Sequence, residues 1–136
     1  MNKTHSFMIR FVFLMFFLLL TGAVFAWSNP GTYQLTRGQS PTTYTTESLE
    51  LRDTKTTSST TFRVDTYTKT MWSYPEYRLV NSNYSPCSDW VAVPAVGGRS
   101  TGTGNSGVIG YYYYGQIKPA WNQLRTDTIR LDFSAD

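Results

Sequence analysis

Along residues 27–136 apolar side chains return at every second position more often than at helical spacing, a rhythm that predicts half-buried β-strands. Tyr33 and Leu35 begin a short strand after the Asn29-Pro30-Gly31 turn, and Pro41 breaks it. Leu49 and Leu51 share one face of the next strand, with Ser48, Glu50 and Arg52 opposite, and polar residues 53–59 read as a hairpin loop. Phe62 and Val64 lead a long strand towards Trp72 whose other face carries Arg63, Asp65, Tyr67 and Lys69; Pro75 ends it. Residues 77–80, 90–93 and 108–118 read as three more strands. Between the last two, residues 97–107 hold five glycines and read as a flexible loop. The final strand alternates most cleanly, with Ile129, Leu131 and Phe133 on one face and Thr128, Arg130, Asp132 and Ser134 on the other.

About seven short strands with no helix to cross over call for antiparallel pairing. The fold expected is all-β: one small antiparallel β-sandwich domain of immunoglobulin-like size over residues 27–136, in which two half-apolar sheets bury their inner faces together. A small β-barrel is the alternative.

Residues 1–26 are of another kind. Lys3 and Arg10 precede an uncharged run rich in Phe, Leu, Val and Met that ends Gly22-Ala23-Val24-Phe25-Ala26. A charged start, an apolar middle and a small-residue exit make a secretory signal peptide, cleaved between Ala26 and Trp27. Seventeen uncharged residues from Phe11 to Trp27 also fall short of the ~20 that a spanning helix needs. The chain is thus expected to be secreted, with membrane contact only through the leader unless it stays uncleaved.

Removing the leader changes the inventory. It takes with it His5, the sole histidine, and six of the eight Phe, leaving ten basic and nine acidic side chains and one cysteine, Cys87. Histidine-dependent triads and His-ligated metals are then excluded, and a near-neutral body is no nucleic-acid binder. No cofactor or metal is expected. Cys87 is a free thiol without an intrachain partner, read first as a small buried hydrophobe and second as half of an intermolecular disulfide. Residues 102–107 spell G-x-G-x-x-G, but a strand follows instead of the helix whose amino end would face a pyrophosphate, so the match is set aside. Carboxylate-pair hydrolysis is the one common mechanism the inventory permits. Most of its candidates (Glu47, Glu50, Asp53, Asp65, Glu76, Asp89, Asp127, Asp132 and Asp136) fall in loops or on solvent-facing parities.

Ten Tyr and four Trp remain in this body, side chains suited to surfaces that are both wet and adhesive. In residues 108–118 Ile109, Tyr111, Tyr113, Gly115 and Ile117 share the face expected to point inward, while Tyr112 and Tyr114 stand with Gln116 and Lys118 on the outward one. Tyr112 and Tyr114 are therefore the leading ligand-binding candidates. Trp121 is a second contact or a plug at one end of the sandwich, and Tyr67, beside Arg63 and Lys69, a third patch or a cation–π pair. The Phe/Leu-rich leader, Thr/Tyr-rich body and final alternating strand resemble the small exported β-proteins of Gram-positive bacteria; no motif names a family. The function expected is non-catalytic binding at the cell envelope or in the medium, with a cell-wall glycan or another envelope protein as partner. The alternatives are a bacteriocin-like or matrix protein working by self-association or membrane contact, and a carboxylate-dependent hydrolase. Strand order and oligomeric state are not encoded in the pattern.

Overall fold

The computed structural model describes residues 27–43, 52–70 and 73–136. Thr, Tyr and Val fill its strands, as their branched and aromatic side chains suit a pleated surface. In chain order the strands are β1 (Gly31–Leu35), β2 (Thr42–Thr43), β3 (Arg52–Thr54), β4 (Phe62–Lys69), β5 (Glu76–Val80), β6 (Val91–Ala92), β7 (Arg99–Gly102), β8 (Tyr112–Lys118) and β9 (Asp127–Ser134). Four of them form one sheet in the order β1-β9-β4-β7. The other sheet runs β2-β8-β5-β6, with β3 pairing further along the same edge of β8 that β2 uses. Every pairing is antiparallel. The molecule is the expected all-β sandwich, with nine strands among the described residues where the alternation predicted about seven.

The core lies between the sheets. Tyr33 and Leu35 on β1, Phe62 and Val64 on β4, and Ile129, Leu131 and Phe133 on β9 face Tyr77 and Leu79 on β5 and Tyr113 and Ile117 on β8. At its centre the hydroxyls of Tyr33 and Tyr77 lie 3.1 Å apart and the rings meet edge to face at 6.1 Å, so neither buried phenol lacks a partner. Burial is the main cause holding the Tyr77 hydroxyl well above its ordinary pKa.

Several expectations need correction. Residues 53–59 are not simply a loop: β3 extends to Thr54 and turns Asp53 inward, and Lys55 beyond it is buried as well. The glycine-rich stretch contains β7, which pairs with β4 and ends where Gly102 lies beneath the Phe62 ring. The strand expected over 108–118 starts only at Tyr112. Gly110, at a φ of 88°, and a hydrogen bond from the Val108 amide to the Tyr113 hydroxyl (2.6 Å) hold residues 108–111 in a turn, so Ile109 and Tyr111 are exposed rather than inward. A register shift between Thr66 and Thr68 interrupts β4 against β9. The outward parity of β9 does not mean exposure either, because Asp132 and Ser134 are buried. The leader and its cleavage position at Ala26, the expected strand around Leu49 and Leu51, the acids Glu47 and Glu50, and Trp72 lie outside the described residues.

Candidate functional site

β8 sets out the first candidate site. Its alternation buries Tyr113, Gly115 and Ile117 and directs Tyr112, Tyr114, Gln116 and Lys118 to the outer face of the five-stranded sheet. Register then decides their neighbours: Thr54 lies opposite Tyr112, Arg52 and Val80 flank Tyr114, Arg78 faces Gln116 and Glu76 faces Lys118. The Arg52 guanidinium sits 4.1 Å above the Tyr112 ring. Arg78 Nε donates to Gln116 Oε1 at 2.7 Å, and Gln116 Nε2 donates to Thr43 at 3.0 Å. Trp90 packs over the same face, with Arg78 4.3 Å and Lys118 4.4 Å from its ring centroid. Lys118 also pairs with Glu76 at 2.7 Å. The strip thus alternates aromatic rings with three cations and holds a single acid. Beyond Tyr112 it opens into a shallow groove of about 330 Å³ lined by Asn81, Ser82, Val108 and Tyr111 to Tyr113.

Of the residues singled out from sequence, Tyr112 and Tyr114 stand together on this face as their parity predicts. Trp121 lies beyond the far end of β8, roughly 20 Å along the strand from Tyr112; at 95% exposure it plugs nothing. Tyr67 is on the other sheet. Its hydroxyl donates to Asp132 at 2.7 Å and its ring lies 5.6 Å from Arg130, while Lys69 turns to the Tyr74 ring instead. Trp27 lies under the Arg99 guanidinium at 4.7 Å. Cys87 is half-buried against the core, and burial pushes its thiol up. Arg52, Arg78 and Trp90 escaped the sequence reading because only cross-strand register brings them beside the tyrosines.

A second constellation is polar and closes one end of the sandwich. Lys55 follows β3 and is 1% exposed; its backbone exchanges hydrogen bonds with Tyr111 and Gly110, placing it beneath the aromatic turn. Its Nζ donates to the carbonyls of Ser59 (2.7 Å) and Ala135 (3.0 Å) and lies 3.8 Å from Asp136 Oδ1. Asp53 accepts from the Ala135 amide at 2.6 Å and the Thr54 amide at 2.9 Å. Asn105 Nδ2 donates to the carbonyls of Ala135 and Thr61, each at 2.7 Å. Asp136 in turn accepts from the amides and hydroxyls of both Thr56 and Thr57.

Burial lifts the Asp53 carboxyl to about 6, against the pull of its two amide donors. Burial also lowers the Lys55 ammonium, opposed by the charges of Asp136 and Asp53. For Asp136 burial pushes upward, but the threonine donors outweigh it and hold the carboxyl below the ordinary range.

The expectation that most acids face solvent therefore fails for Asp53, Asp127, Asp132 and Asp136, all of them buried. Backbone amides and hydroxyls meet these carboxylates and offset their lost hydration, except at Asp132 Oδ1, which is buried without a hydrogen-bond partner. Among the described residues no three His, Cys, Asp or Glu gather to hold a metal ion. Compared with known proteins, the chain matches no family model, no curated protein and no solved structure.

Proposed function

We propose that this chain is an exported, non-catalytic β-sandwich that binds an anionic glycan of the cell envelope across the outer face of its five-stranded sheet. One observation carries the reading: Tyr112 and Tyr114 are aligned on β8 beside Arg52, Arg78 and Lys118, with Glu76 as the lone acid on that strip. Tyrosine and tryptophan rings offer flat, amphipathic surfaces for the apolar faces of sugar rings. Guanidinium groups stacked on those rings keep their outer N–H edges for carboxylate or phosphate oxygens. An open, shallow groove fits a linear chain lying along the sheet better than a small molecule enclosed in a pocket. The leader supports export, and an envelope polymer is the ligand an exported module meets in quantity.

The test is retention on immobilised polygalacturonate, with neutral dextran as the control. The wild-type chain is expected to bind the acidic polymer, to bind it less as salt rises because the cations are half-buried and still open to solvent, and to pass through dextran. Replacing Tyr112 and Tyr114 together by Ala is expected to weaken binding about tenfold, the equivalent of ~1.4 kcal/mol. A folded double variant retained as well as wild type would remove this face from the argument.

A further inference from the structure

The buried end of the sandwich holds an amine and a carboxylate that no binding role requires. Lys55 Nζ and Asp136 Oδ1 are 3.8 Å apart, with side chains 1% and 0% exposed. They come from opposite layers, since Lys55 directly follows β3 and Asp136 lies just past β9. From this geometry we infer that Lys55 and Asp136 are the partners of an intramolecular isopeptide bond that ties the two sheets together covalently.

The step balances without a co-reactant. A proton passes from the Lys55 ammonium to the Asp136 carboxylate, the freed Nζ lone pair attacks Asp136 Cγ, and a new N–C bond forms. The Cγ–O bond then breaks and its oxygen departs with two protons as water. Ammonium and carboxylate give a neutral amide plus water, with no change of oxidation state. Burial favours this direction, because two desolvated charges are replaced by a neutral group. Confinement of the two groups in one rigid site supplies the effective concentration that separate molecules would lack.

Other residues around the pair have matching parts. Thr56 and Thr57 aim amides and hydroxyls at both oxygens of Asp136. In the resting ion pair these donors favour the anion, and in the tetrahedral intermediate they stabilise the developing oxyanion. Asp53 and Lys55 grip the same residue from two sides, Asp53 accepting from the Ala135 amide and Lys55 donating to the Ala135 carbonyl. Asp53 is thus a positioning residue, fixing the backbone of Ala135 beside the Lys55 amine. Asn105 donates to the same carbonyl and is the competing electrophile; attack there would release ammonia instead of water.

Mass spectrometry of the purified full chain, with whichever amino terminus the mass itself reports, decides the matter. The expected mass is about 18 Da below that of the unmodified sequence, and fragmentation is expected to yield a branched peptide joining Lys55 to Asp136. Asp136→Asn should change the deficit to about 17 Da, as ammonia leaves in place of water. Lys55→Arg should restore the full mass. A folded wild-type chain at full sequence mass overturns the inference, and this needs no variant to fold. A wild-type deficit of about 17 Da, or a branch mapped to any other residue pair, overturns it as well.

Discussion

Gly115 shows how much a single missing side chain can matter. It lies on the buried parity of β8, where a β-carbon would overlap the Tyr77 hydroxyl that pairs with Tyr33. Gly115→Ala must therefore push Tyr77 aside, either breaking its hydroxyl contact with Tyr33 or shifting β8. A loss of about 3 kcal/mol in urea unfolding is expected, and Tyr77→Phe in the same chain should recover part of it by removing the oxygen that clashes. The inward parity of Gly115 was legible in the sequence. That a phenol from a strand far away in sequence would fill the space above it was not, because alternation specifies faces and not partners.

At the scale of elements, the strands that were legible are those with one apolar and one polar face: β1, β4, β5 and β9 lie close to where the alternation puts them. What escaped has a common cause. The inward positions of β3 and its continuation are Asp53 and Lys55, and the buried end of β7 is Gly102, so hydrophobicity marks neither strand. Conversely Ile109 and Tyr111 look like strand interior yet lie in the Gly110 turn, where the positive φ overrides their pattern. The candidate face was half legible for the same reason. Parity marks Tyr112 and Tyr114, but Arg52, Arg78 and Trp90 join them only through pairing with β8 and β5.

Junctions between elements also rest on polar groups. Asp127, fully buried at the start of β9, accepts from the Thr70 amide (3.0 Å), the Thr70 hydroxyl (2.8 Å) and the Ser73 hydroxyl (2.6 Å), holding the chain just after β4. Asp127→Ala leaves those donors without this acceptor and is expected to cost about 3 kcal/mol. Asp127→Asn, which keeps one carbonyl oxygen, should cost less than half as much by the same denaturant measurement.

For the whole molecule, the buried carboxylates make stability depend on pH in an unusual direction. Asp132 lies opposite Asp65, accepts from Tyr67 and is near Arg99, which grips Asp65 through two hydrogen bonds. Burial is the largest cause raising its carboxyl, the Tyr67 bond opposes it, and the Asp65 charge raises it further. Asp53 is lifted as well, to about 6, chiefly by burial. A carboxyl raised in the folded state binds protons more tightly there than in the unfolded chain. Its contribution is complete below the ordinary carboxylate range and is lost as pH rises through the folded value. As a free carboxyl, before any bond to Lys55 forms, Asp136 is held low and acts in the opposite sense but only in acid, its contribution fading as pH falls through its depressed value; once bonded it no longer titrates. Between about pH 4 and 6.5 the raised pair therefore governs the carboxylate contribution, and urea midpoints should fall across that window. Asp132→Asn removes one of the two sources. Its midpoint relative to wild type should rise steadily from pH 4 upward, whereas a gap that stays constant would show that Asp132 titrates alike in both states and that its burial carries no electrostatic cost.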